Sequence, residues 1–197
     1  ISIGPVLVLG VITLLFMLTM VKSSLMDEVQ DALKGTAAAT LAAYDQNTGD
    51  YLESTNGDIW KGSYNISKSE SLVDRIKENT GMDVTFFYGN KRIMTSALDK
   101  KGNRILGSEA GERVVNQVIK GKKPFFSTNV SLDGTRNYGY FIPVYQNGTT
   151  DQVIGMVFVG TNKARKDAIV NKILGSIMMA LLVVMLLFQV LLFLQFQ

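Results

Sequence analysis

The chain has 197 residues, a formal charge of +3, no Cys and no His. The missing residue types remove thiolate nucleophiles, imidazole bases and the usual zinc ligands. The modest charge, spread over both signs, is not the basic stripe that nucleic-acid binding needs, and no Gly-rich phosphate loop occurs, so neither a nucleic-acid partner nor a cofactor is expected.

Every charged residue lies between Lys22 and Lys172. The flanks "ISIGPVLVLGVITLLFMLTMV" and "LGSIMMALLVVMLLFQVLLFL" each reach the roughly 20 apolar residues that cross a bilayer as a helix. The first is read as an uncleaved span. A signal-peptide apolar core is about 7–15 residues long, and "TMVKSSLM" offers no small-x-small cleavage pattern. The expected division is a transmembrane helix over 1–21, a polar domain with helical connections over 22–172, and a second transmembrane helix over 173–197. Both termini then lie on one side of the bilayer. The basic residues near the spans belong to the middle segment, which the positive-inside rule read literally would place in the cytoplasm. Domains of this size translocate largely regardless of charge, and "LQFQ" reads as a cut through a longer protein, so an extracytoplasmic domain is expected.

After Lys22, apolar residues at Leu25, Val29, Leu33, Ala37, Leu41 and Tyr44 keep helical spacing, so the first span is expected to continue as a long amphipathic helix. Gly35 is a place for a bend. "NTGDYLESTNGDIWKGSYNIS" is turn-rich and reads as a loop or short irregular lobe. "SKSESLVDRIKENTG" predicts a helix with a capping box from Ser67 to Glu70 and Gly81 just past its end.

From Asp83 the period changes to two. "DVTFFY", Gly89-Asn90 and "KRIMTSAL" form a hairpin with a two-residue turn. "GSEAGERVVNQVIKG" is a short helix with Ser108 as its N-cap and Gly121 beyond its end. "PFFSTNVSL", Asp133-Gly134 and "TRNYGYFIPVY" form a second hairpin, and "QVIGMVFVG" is a buried last strand. The whole is an α+β domain with one antiparallel sheet of about five strands. Its last strand runs through Lys163, Arg165 and Lys166 toward the second span without a Pro or a Gly/Ser-rich tether.

Five pieces in this order carry a resemblance: "VTFFYGNKRIMTS", the G-x-R-x-x-G of Gly102–Gly107, "VVNQVIKG", "YFIPV" and "VIGMVFVG". The stretch from Asp83 to Gly160 resembles the single Cache sensory domain of bacterial methyl-accepting chemotaxis proteins. The resemblance implies a PAS-like sheet with the long N-terminal helix across one face. A small-molecule pocket is implied on the other face, under loops and the Gly102–Lys120 segment. It also implies a homodimer in the bacterial inner membrane, whose second span leads to cytoplasmic signalling domains outside this chain.

Arg92 is the leading ligand-binding candidate, because a guanidinium suits a small carboxylate through a bidentate pair. Pairing across Gly89-Asn90 puts Arg92, Met94 and Ser96 on one face with Thr85 and Phe87. Val84, Phe86, Ile93, Thr95 and Ala97 take the other. Thr95 and Ser96 offer hydroxyl contacts, and Tyr138 and Tyr140 share a face as an apolar wall with polar tips. Gly139 leaves its own face bare. A surface arginine and core tyrosines at period two are the competing readings.

The function expected is a ligand-sensing transmembrane module of a chemoreceptor, binding a small molecule such as a small organic acid. The alternatives are the sensor module of a histidine kinase or cyclic-dinucleotide enzyme, or a membrane-anchored protein-binding or assembly domain. An enzyme is not expected, since "SALDK" (Ser96–Lys100) does not set a Ser–Lys pair on one helical face and the carboxylates show no pairing.

Overall fold

A computed structural model of the protein describes residues 3–195. The chain divides into two compact units, one formed by the chain up to Val29 and from Arg165 onward, the other by Gln30–Ala164. Helix α1 (Ile3–Asp45) and the C-terminal helix (Lys163–Gln195) each contribute to both. These are two helices long and apolar enough to cross a membrane, with mean hydropathy of 2.0 and 3.0 in their most apolar windows. In the first unit they meet where Gly10 comes close to Met185, a Cβ on Gly10 falling 3.5 Å from the Met185 methyl. α1 runs through Gly35 without a break.

In the second unit, α1 is followed by a small antiparallel sheet of β1 (Tyr51–Glu53), β2 (Ile59–Lys61) and β3 (Tyr64–Asn65). The stretch expected to be an irregular lobe is therefore ordered, but its strands are too short for an alternating pattern to register. A 3-10 turn (Ile66–Lys68) leads into α2 (Glu70–Thr80). The predicted capping box does not form. Ser67 Oγ accepts the Ile59 N–H at 2.9 Å, and the N-cap is Ser69, whose hydroxyl donates to Ile66 O at 2.7 Å. Gly81 does end the helix, in the left-handed region with φ 69° and its N–H on Lys77 O, a conformation that favours glycine.

The main sheet is five-stranded and antiparallel, with β4 (Asp83–Tyr88), β5 (Lys91–Thr95), β6 (Phe125–Leu132), β7 (Thr135–Tyr145) and β8 (Val153–Asn162) in the order β5-β4-β8-β7-β6. Both predicted hairpin turns are present. At Asp133-Gly134 both residues have positive φ, 45° and 77°, as a type I′ turn requires. Between β5 and β6 a short helix α3 (Glu112–Val114) continues as a π-helical segment over Val115–Lys120. Its N-cap is Gly111 rather than Ser108, because Ser108 O accepts the Arg92 N–H and Ala110 N–H bonds Asn90 O, holding this stretch extended along β5. That pairing also covers what would otherwise be a free sheet edge. The C-terminal helix α4 (Lys163–Gln195) begins at the residue after β8 ends.

One face of the sheet packs on α1. Leu33, Ala37, Thr40 and Tyr44 are buried from the helix side, and the Tyr44 ring meets Phe86 of β4 edge-on at 5.1 Å. The opposite face carries a second core of Phe87, Phe141, Met156 and Phe158 under Val118 of the π-helical segment.

Candidate ligand-binding site

The face away from α1 is not closed by that second core. Between the sheet, the bulged strand β6 and the Glu109–Val114 segment lies a cavity of about 500 Å³, within the usual size of small-molecule sites. Its floor is aromatic, formed by Phe87, Phe141 and Phe158, and Phe125 stands at its side. Ser127, Thr128 and Asn129 line it because β6 bulges there. Ser127 pairs with Gly139 but Val130 with Asn137, so an extra residue turns the strand outward.

Arg92 is the charged group inside. It is only 8 % exposed, its guanidinium lies 5.3 Å from the Phe87 ring centre, and Nη1 donates a long 3.4 Å bond to Ile105 O. Nε is buried with no hydrogen-bond partner, and no carboxylate ion-pairs with Arg92 among the described residues. Burial lowers the pKa of the guanidinium from its ordinary value, opposed by Asp83 at longer range. A buried, under-satisfied guanidinium is costly, and an anion with an apolar body would satisfy it. Arg113 and Glu109 stand exposed at the cavity's mouth, the former 5.3 Å from the Phe125 ring centre.

The other expected site residues are not gathered around Arg92. Ile93 is an unpaired bulge residue, since Phe87 pairs with Arg92 but Phe86 with Met94. The extra residue reverses the facing beyond it, a one-residue slip being enough to exchange faces. Thr95 therefore shares the face of Arg92, opposite Thr85, while Met94 turns with Phe86 toward α1. Thr95 Oγ1 is already engaged, with Thr85 Oγ1 at 2.7 Å and Val84 O at 3.1 Å. Ser96 Oγ accepts the Val84 N–H at 2.9 Å and donates to Asp83 at 3.3 Å. Tyr138 and Tyr140 share a face as expected, but it is the α1 face. Tyr138 stacks on Phe126 and its hydroxyl accepts from Lys163 at 2.6 Å. Gly139 faces the cavity side, and that face is not bare: the Phe158 ring fills it.

The sequence itself matches a described family. The sequence profile of "Single cache domain 3" matches residues 64–173, more than half of the chain. The chain belongs to this family. Solved structures with the same Cache fold include an extracellular ligand binding receptor from Desulfohalobium retbaense, at TM-score 0.53 and 16 % identity over 78 % of this chain. The ligand-binding domain of the Campylobacter jejuni chemoreceptor Tlp3 in complex with L-valine gives TM-score 0.53 and 12 % identity, and the Tlp3 sensory domain with isoleucine bound gives 0.53 and 13 %, each over 78 % of this chain. At such identities the likeness is one of fold. The chain spans 26 % of the first protein's length and 60 % of each Tlp3 structure. No curated protein matches the chain in sequence.

Sequence reasoning missed Arg113, the Phe125–Asn129 rim and Phe158. Phe125, Phe141 and Phe158 form a row on one face, with Phe141 paired to both of the others. A facing assignment for all three strands would have brought them together.

Proposed function

We propose that the chain is the extracytoplasmic sensory module of a bacterial transmembrane receptor, most closely of the chemoreceptor kind. It holds a small organic acid in the cavity on Arg92 and works as a homodimer in the inner membrane. The observation that carries the reading is the buried Arg92 guanidinium, with a bare Nε, in a cavity with an aromatic floor. The two apolar helices that flank the Cache domain support the membrane placement. The direct succession of β8 and α4 supports transmission, because a ligand that favours one arrangement of the sheet shifts its population, and helix shifts of about 1–2 Å are a common signalling output. The Tlp3 neighbours, bound to valine and isoleucine, support a small carboxylate-bearing ligand. The same reading suits the sensor of a histidine kinase or a cyclic-dinucleotide enzyme as well as that of a chemoreceptor.

The test is thermal unfolding of the chain in lipid nanodiscs against a panel of small carboxylates, beside Arg92→Gln. A ligand at 100 times its Kd adds about 2.7 kcal/mol, and that gain should vanish in the variant. A gain that survives Arg92→Gln removes Arg92 from the site. Silence from every acid turns the reading toward a domain that binds another protein.

A further inference from the structure

Phe158 ends the cavity at the sheet, and the way its ring lies is unusual for a strand residue. Side chains of a strand stand roughly perpendicular to the sheet. The Phe158 ring instead lies along the sheet over Gly139 and Gly160, which pair with each other across β7 and β8. A Cβ on Gly139 would sit 2.5 Å from Phe158 Cε2, and one on Gly160 would sit 2.4 Å from Phe158 Cζ. Neither glycine has a positive φ, so backbone conformation does not demand them. Glycine weakens a strand interior and marks a place of close approach. Here the approaching group is the Phe158 ring, held from the side by Phe141 at 4.7 Å between ring centres. A side chain at Gly160 would lift the ring off the backbone, one at Gly139 would displace both the ring and the Val130 methyl that lies 2.8 Å from the same Cβ position, and the space above is the cavity.

We propose that Gly139 and Gly160, acting through Phe158, are the specificity-determining positions of this site: they set its depth, and with Arg92 as its buried cation they select apolar monocarboxylic acids of short chain. The inference rests on the carboxylate reading of Arg92 and adds what that reading leaves open, the size and polarity of the ligand's other end. Arg113 and Glu109 are exposed at the mouth. Polar groups line the β6 side, at Ser127, Thr128, Asn129 and Ser131, but the floor formed by Phe141 and Phe158 offers none, so a second carboxylate or an ammonium placed on that floor would be buried unpaired.

Unfolding of the full chain in lipid nanodiscs is followed with the linear acids from acetate to hexanoate as probes. Wild type should be stabilised most by one short acid. Phe158→Leu should move the optimum to a longer acid, and Gly160→Ala should weaken the preferred acid by about tenfold, the scale of one methylene in an apolar pocket. Combining Phe158→Leu with Gly160→Ala should restore binding, which general damage to the fold would not do. If Gly160→Ala fails to fold, the chain-length shift in Phe158→Leu carries the test alone. An unchanged optimum in Phe158→Leu, with binding still lost in Arg92→Gln, overturns the depth rule and leaves the carboxylate reading standing. If no acid stabilises any variant, both are overturned.

Discussion

The two faces of the main sheet are made from the same five strands and differ in how completely they are satisfied. Toward α1, Phe86 is fully buried between Tyr44 at 5.1 Å and Tyr51 at 5.8 Å. The polar groups there find partners, the Tyr44 hydroxyl donating to Ser69 at 2.9 Å and Tyr51 to Asp45 at 2.9 Å. Toward the π-helical segment, aromatic packing stops short of closure and an arginine is buried with a bare nitrogen. One face supplies stability. The other leaves a cavity of about 500 Å³ open beside a buried cation.

Adjacent residues let that contrast be measured. Phe86→Ala should cost about 3–5 kcal/mol, because a full aromatic contact is replaced by a void with nothing free to fill it. Phe87→Ala, one position along and turned to the cavity, should cost roughly 2 kcal/mol less, since its space joins one that already exists. Equal losses, by denaturant unfolding of the two variants, would mean that the faces are equally packed and that the distinction is wrong.

Arg92→Leu sharpens the comparison by reversing a sign. Replacing a buried, unpaired charge by an apolar group of similar bulk should raise the stability of the unliganded chain by about 1 kcal/mol, the relief of desolvation outweighing the lost contact with Phe87. The same change should abolish stabilisation by carboxylates. A residue kept for binding at the expense of stability behaves this way, whereas a structural arginine would destabilise the chain when replaced.

The same contrast governs what could be seen in the sequence. Gly89-Asn90 and Asp133-Gly134 announced both hairpins because turn chemistry is local, and Arg92 drew notice because a strand guanidinium suits a bidentate pair with a small carboxylate. Met94 and Thr95 were assigned to the wrong faces because the bulge at Ile93 leaves no trace in an alternating pattern. Tyr138 and Tyr140 share a face, but which face meets α1 is set by packing across strands distant in sequence. The three strands of the small sheet, two or three residues each, are fixed by Tyr51 and Ile59 packing into the core rather than by any periodicity of their own.

Tyr44→Phe tests how far the packed face depends on its polar partners. The hydroxyl is buried, and burial pushes its pKa above the ordinary tyrosine value, so the group stays neutral and keeps the proton of its hydrogen bond with Ser69. Its removal should cost about 1 kcal/mol, a value that should not change between pH 5 and 9. A pH-dependent loss would mean that the hydroxyl ionises and that solvent reaches this face.

The smallest effect expected comes from a second arginine, whose setting shows what Arg92 lacks. Arg104 makes a bidentate pair with Asp74, Nη1 to Oδ1 at 2.8 Å and Nη2 to Oδ2 at 2.5 Å, and Nη1 also donates to Thr95 O at 2.7 Å. Its guanidinium is anchored by the protein itself. The hydrogen bond from Arg104 holds the Asp74 carboxyl below its ordinary pKa, so the pair stabilises the fold above the unfolded-state carboxylate value, near 3.9. That contribution is lost as pH falls through the lower folded value. Asp74 is 42 % exposed, so solvent screening limits the effect, and Asp74→Asn should cost no more than about 1 kcal/mol at pH 7. The difference between variant and wild type should shrink as the pH drops below 4 and vanish once Asp74 is protonated in both states. Arg92 has no such paired carboxylate and feels Asp83 only at longer range, so the stability difference between Arg92→Leu and wild type should change far less over the same acid range. A parallel acid-dependent change there would reveal a protein carboxylate already serving Arg92, leaving nothing for a ligand to supply.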